Sequence, residues 1–122
     1  MAVVALALGG FCWFVVPAYF VGLGEQKNAK GDLDREIADL TLAINLDPTH
    51  PGDYEQRGFV KAKKGDLAGA IEDYSKEISL APHLWTGYYY RALVRYELGE
   101  WAEASEDFNA AIKWEFAVER WG

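Results

Sequence analysis

The sequence predicts an all-α fold: an N-terminal transmembrane helix followed by about three antiparallel helix pairs stacked as a short solenoid. Three observations predict it. Glycines recur 34 residues apart at Gly31, Gly65 and Gly99, and each opens the same kind of segment. Within those segments apolar residues recur at three-and-four spacing, and no window holds sustained period-two alternation, so no strand is expected. From Met1 to Gly24 there is no charged side chain. A fixed period of this length means supersecondary units that each lean on a neighbour, not one closed globule. Such a protein works through what its surface holds, so binding is expected and catalysis is not.

The first element is the uncharged segment 1–24. All 12 basic and 19 acidic side chains, and hence the net charge of −7, lie from Glu25 onward. At about 1.5 Å per residue the segment reaches roughly 36 Å, enough to cross a hydrocarbon core of about 30 Å. Trp13 and Tyr19 suit a membrane helix, and Ala5 and Gly9 form a small-residue face. Three other readings compete. Val16-Pro17-Ala18 is a passable signal-peptide cleavage site, but no lysine or arginine precedes the apolar run. Phe11 stands before Cys12 where a lipoprotein signal needs a small residue. The segment could also be a buried helix of the repeat array. Lys27, Lys30 and Arg35 follow the span, which places the repeat domain in the cytoplasm, with an extracytoplasmic location as the alternative. The single cysteine, Cys12, excludes an internal disulfide framework.

The repeat domain, residues 25–122, comes next. Its first unit reads Gly31-Asp32-Leu33, then Ile37-Ala38-Asp39-Leu40, Ala43-Ile44 and Asp47-Pro48. The second reads Gly65-Asp66-Leu67, Ala70-Ile71-Glu72-Asp73-Tyr74, then Ile78, Leu80 and Pro82. The third reads Gly99-Glu100-Trp101, Ala104, Glu106-Asp107-Phe108 and Ala111-Ile112. Leu67, Ala70, Ile71, Tyr74 and Ile78 mark one face of a helix. Gly65 follows Lys61, Lys63 and Lys64, where a left-handed residue and cations suit a helix C-terminus. Asp66 is expected to cap the next helix, and Asp32 to do the same after a turn at Gly31. Pro48 and Pro82 stop the second helix of their units.

These anchors resemble the tetratricopeptide repeat, a helix–turn–helix unit. The second unit supplies Tyr54, Arg57, Gly58, Ala70, Tyr74 and Pro82; the third supplies Tyr88, Arg91, Ala92, Ala104, Phe108 and Ala111. The match spans roughly residues 17–118. In the first unit Phe20, Leu23 and Gly24 fall on the first-helix positions, so the membrane helix runs into that unit. Pro17 either kinks it or divides the span from the repeat helix. Glu36 and Glu77 stand where the family packs an alanine, and Arg57 and Arg91 replace an aliphatic residue. An arginine stem can cover apolar surface with its head in water, which is the expectation for both. Tyr88 is expected to fill the interface between paired helices.

The resemblance implies that the first helix of each pair (helix A) lines a groove. Mapped here, the groove positions are Gly52, Glu55, Phe59, Ala62 and Lys63, then Thr86, Tyr89, Leu93, Tyr96 and Glu97. The family's variant that grips C-terminal carboxylates needs lysines and asparagines at such places; only Lys63 is present, so that clamp is not expected. The candidate partner-binding residues are Phe59, Lys63, Tyr89, Leu93 and Tyr96, with Phe59 bordering the Tyr89–Leu93–Tyr96 stripe. A second candidate surface is the aromatic tail, Trp114, Phe116, Val118 and Trp121, which either folds back over the last unit or docks on a partner.

Other chemistry is thin. His50 and His83 lack Cys or carboxylate at ligand spacing, so no metal is expected. The pairs Glu72-Asp73 and Glu106-Asp107 are expected on a solvated face. No nucleophile has a plausible base and no Gly-rich phosphate loop follows a strand, so no catalytic residue, cofactor or small-molecule substrate is expected. A pI near 4.7 disfavours nucleic acid. The sequence thus points to a small membrane-anchored protein–protein interaction subunit, an accessory or assembly component of a larger membrane complex. Its partners are other protein subunits, with lipid around residues 1–24. The alternative is a soluble or periplasmic adaptor whose N-terminus is an export signal.

Overall fold

The structure is a computed structural model and describes residues 30–121. The segment 1–24, with the predicted membrane span and the first-unit positions Phe20, Leu23 and Gly24, lies outside the described residues. Those residues form helices α1 (Lys30–Leu46), α2 (Pro51–Lys64), α3 (Leu67–Leu80), α4 (Trp85–Glu97) and α5 (Trp101–Trp121). Helix α2 pairs with α3 and α4 with α5, while α3 packs on α4 and α2 also touches α4. Among the described residues no helix is long and apolar enough to cross a membrane.

Local chemistry sets the boundaries. Pro51 opens α2, and Gly65 closes it in the left-handed region at φ 97°. There the Gly65 and Asp66 amides donate to the Ala62 and Lys61 carbonyls, at 3.0 and 2.8 Å. Gly99, at φ 82°, ends the next unit identically: its amide donates to Tyr96 and that of Glu100 to Arg95. Left-handed backbone disfavours a Cβ, so glycine recurs at this one place. The Asp66 carboxylate accepts the Gly69 amide at 2.9 Å and caps α3. Helices α1 and α3 end two residues before Pro48 and Pro82.

The first unit departs from the expectation. Gly31 and Asp32 lie inside α1, which is already helical at Lys30, and Gly31 does not take positive φ. The turn seen at Gly65 and Gly99 is therefore not repeated here. Asp32 is an acidic residue in a first turn, where it complements the helix dipole.

The core follows the repeat. Ala70 and Ala104 are fully buried, as is Ala92. Ala70, Tyr74 and Val94 cluster with Ala62, Leu67, Ile71 and Tyr90. Gly58 allows α2 to approach α3: a Cβ there would stand 2.9 Å from the Tyr74 ring and 3.2 Å from the Asp73 Cβ. Tyr54 is buried and donates its hydroxyl to the Pro48 carbonyl at 3.0 Å; Tyr88 repeats that bond to Pro82 but is only half-buried.

Candidate binding cleft and its polar frame

A polar frame repeats with the 34-residue period. Arg57 on α2 grips Asp73 on α3 with two bonds, Nε to Oδ2 at 2.9 Å and Nη2 to Oδ1 at 2.7 Å. Its Nη1 donates to the Thr41 hydroxyl on α1 at 3.2 Å. One period on, Arg91 grips Asp107 at 2.8 and 2.7 Å and donates to Ser75 at 3.0 Å. A second cation joins each aspartate, Lys61 at 3.1 Å from Asp73 and Arg95 at 3.0 Å from Asp107. Each frame therefore ties a helix pair together and to the preceding helix.

Two expectations are corrected by this frame. Asp73 and Asp107 are 3% and 4% exposed, not on a solvated face; only their neighbours Glu72 and Glu106 are exposed. Arg57 and Arg91 do not send their heads into water but hold buried carboxylates bidentately. The cause is charge-assisted, forked pairing, which a point charge on a flexible stem does less well.

Where α1, α2 and α4 meet lies a cleft of about 240 Å3, lined by Glu36, Glu55, Gln56, Phe59, Val60 and Tyr90. Phe59 meets Tyr90 edge-on at 6.2 Å between ring centres, and Tyr90 stacks on the buried Tyr74 at 5.7 Å. Tyr90 thus joins the cleft to the core. Lys63 sits over the Phe59 ring, 5.3 Å from its centre. Behind Glu55, Glu77 is 1% exposed and accepts the Thr86 hydroxyl through Oε1 at 2.7 Å. Its Oε2 is buried without a hydrogen-bond partner. Burial, and then the nearby Glu55 carboxylate, push the Glu77 carboxyl up to about 7.

The candidate residues divide. Phe59, Leu93 and Tyr96 are 48%, 41% and 58% exposed, a half-open apolar stripe along α2 and α4. Tyr89 is 37% exposed and also meets Trp85, Tyr90 and Phe108 edge-on at 5.8, 5.4 and 6.2 Å. Phe59 borders Tyr90 rather than Tyr89. Tyr96 leans on the exposed Trp101 at 4.8 Å. The tail does not fold back, because α5 continues as one helix to Trp121. Trp114 packs half-buried against His83 at 4.4 Å and Phe116 is exposed; the side chains of Val118 and Trp121 lie outside the described residues. His50 lies 3.5 Å from Asp53.

The sequence did not mark Glu36, Gln56, Val60 and Tyr90 as cleft residues, nor the burial of Asp73 and Asp107. A signal for the frame was present. Arg57, Asp73 and Thr41 shift by 34 to Arg91, Asp107 and Ser75, and opposite charges that recur in step point to a structural pair.

Neither a protein-family model nor a curated protein matches the sequence. Solved structures do. A crystal structure of MamA is 28% identical with a TM-score of 0.69, covering 76% of this chain and 56% of its own. The chain thus spans little more than half the length of that protein. The TPR2B domain of yeast Sti1, in complex with pHsp70, is 26% identical with a TM-score of 0.70, covering 80% of this chain and 78% of its own. The first TPR of Spaghetti (RPAP3), bound to the HSP90 peptide SRMEEVD, is 23% identical with a TM-score of 0.67, covering 78% of each chain. The glycine-closed helix pairs, their small-residue contacts and these neighbours agree: the chain has the tetratricopeptide-type fold.

Proposed function

We propose that the chain is a membrane-anchored adaptor that holds a segment of a partner protein on the faces of α2 and α4. It would serve as an accessory or assembly subunit of a larger membrane complex. The observation that carries the binding role is the half-open stripe of Phe59, Leu93 and Tyr96 beside a cleft, on a fold shared with the TPR2B domain of yeast Sti1, whose solved structure is a complex with pHsp70. Exposed apolar side chains grouped on one face favour contact with a partner. Support for the anchor comes from the sequence: the uncharged run 1–24, with the basic residues Lys27, Lys30 and Arg35 after it, favours a span with the repeats in the cytoplasm. An anchor and a groove together raise effective affinity without either being strong.

The test is co-purification of the full chain from mild detergent. Phe59→Ala with Leu93→Ala is expected to lose the partner while helicity stays unchanged. Retention of the partner by the folded double variant overturns the cleft as the site and shifts attention to Trp114, Phe116 and Trp121. Deleting residues 1–24 is expected to move the protein into the soluble fraction. A full-length chain that is soluble without detergent refutes the anchor.

A further inference from the structure

We infer that the cleft where α1, α2 and α4 meet takes a cationic segment: a partner peptide that sets a lysine or arginine against Glu55 and Glu36, and an apolar side chain against Phe59 and Tyr90. This rests on the adaptor reading above and names its ligand chemistry.

The frame and the cleft treat acidic residues oppositely. Asp73 and Asp107, buried between helices, each hold two cations within 3.1 Å. Glu36 and Glu55, which line the cleft, pair with no lysine or arginine among the described residues. Behind them Glu77 adds a third carboxyl whose Oε2 is buried and unpartnered, next to Glu55. A buried polar atom without a partner is costly, and like charges crowded together add to that cost. A cation entering beside Glu55 eases the repulsion between the two carboxyls. The walls suit the rest of such a residue: the Phe59 and Tyr90 rings can lie along a lysine or arginine stem while its head reaches the carboxylates. Lys63 lies over the Phe59 ring, two helical turns from Glu55 and outside the cleft lining, so the charged side chains that line the cleft are both acidic. The net charge of −7 favours the approach of cations as well.

The experiment uses the full chain in mild detergent and two capped, labelled peptides, read by fluorescence anisotropy. Both are leucine-flanked and differ only in a central lysine or glutamate. The lysine peptide is expected to bind, with an affinity that falls as salt is raised. The glutamate peptide is expected to bind at least about tenfold more weakly. Glu55→Gln, nearly isosteric, is expected to weaken the lysine peptide by about tenfold or more with helicity unchanged. Equal binding of the two peptides, or an unaltered lysine peptide in Glu55→Gln, overturns the inference. Phe59→Ala separates the two levels. If both peptides bind equally and both are lost in that variant, the charge preference fails and the cleft as a docking site stands. If neither peptide binds the unmodified chain, both fail.

Discussion

Replacing Glu77 by glutamine should make the protein more stable, and only at the alkaline end of its range. Glu77 is buried between α3 and the start of α4, beside Glu55 and under Thr86. Its carboxyl rises from an ordinary 4.5 to about 7, mainly through burial. The folded state therefore keeps the proton after the unfolded chain has released it. The stability contributed by the protonated group is full below about pH 4.5 and is lost as pH rises through about 7. At about 1.4 kcal/mol per pKa unit, the loss across that window is about 3 kcal/mol. Glutamine is neutral throughout. Its amide oxygen can still accept from Thr86, and its amide nitrogen can donate to Glu55. Near pH 5 the two proteins should melt within a few degrees of each other. Near pH 8 the variant should melt about 10 °C higher, since about 1 kcal/mol moves a domain of this size by several degrees. Thermal denaturation followed by circular dichroism at the two pH values measures it. A difference that does not grow with pH, or a variant less stable at pH 8, refutes the assignment of a protonated Glu77.

Three further outcomes follow from the packing. Ala70→Leu overpacks the fully buried contact between α2 and α3 and should cost about 1–3 kcal/mol; an unchanged melting temperature would mean that the helix pair has the wrong register. Asp73→Ala strands Arg57 and Lys61 without their carboxylate and should cost about 3–5 kcal/mol, while adding Arg57→Met should recover part of that loss; no recovery in urea titrations would deny that the two act as a pair. Gly65→Ala should destabilise by about 1–2 kcal/mol through left-handed strain alone, because space at that Cβ is open, whereas Gly31→Ala, inside a helix, should stabilise by about 0.5–1 kcal/mol; equal effects in paired melts would contradict the different backbones of the two glycines.

Much of the fold was legible in the residues because it is local. Gly65, Asp66 and Pro82 act through backbone conformation within a few residues, and the small residues at 70 and 104, and at 58 and 92, repeat at the 34-residue period of stacked pairs. The same locality misled at Gly31. A glycine followed by aspartate suits a turn or a helix start, and the structure continues the helix through both. The exposed stripe of Phe59, Leu93 and Tyr96 follows from helix periodicity, but Tyr89 and Tyr90 could not be sorted by it. Adjacent positions on a helix differ by about 100°, and which of the two rings meets Phe59 depends on how α4 lies against α2.

That the described chain is built of helix pairs, where most of them begin and end, and which small residues let them meet are all written in the local sequence. What the charges do depends on packing. A carboxylate that looks solvated along the chain is buried when an arginine 16 residues away folds over it, as at Asp73 and Asp107. A glutamate that merely replaces an alanine holds its proton up to about pH 7 when burial and a second carboxylate raise the cost of its charge, as at Glu77. Helix formation follows from nearest neighbours along the chain. Electrostatic environment follows from neighbours in space, and those exist only once the helices have packed.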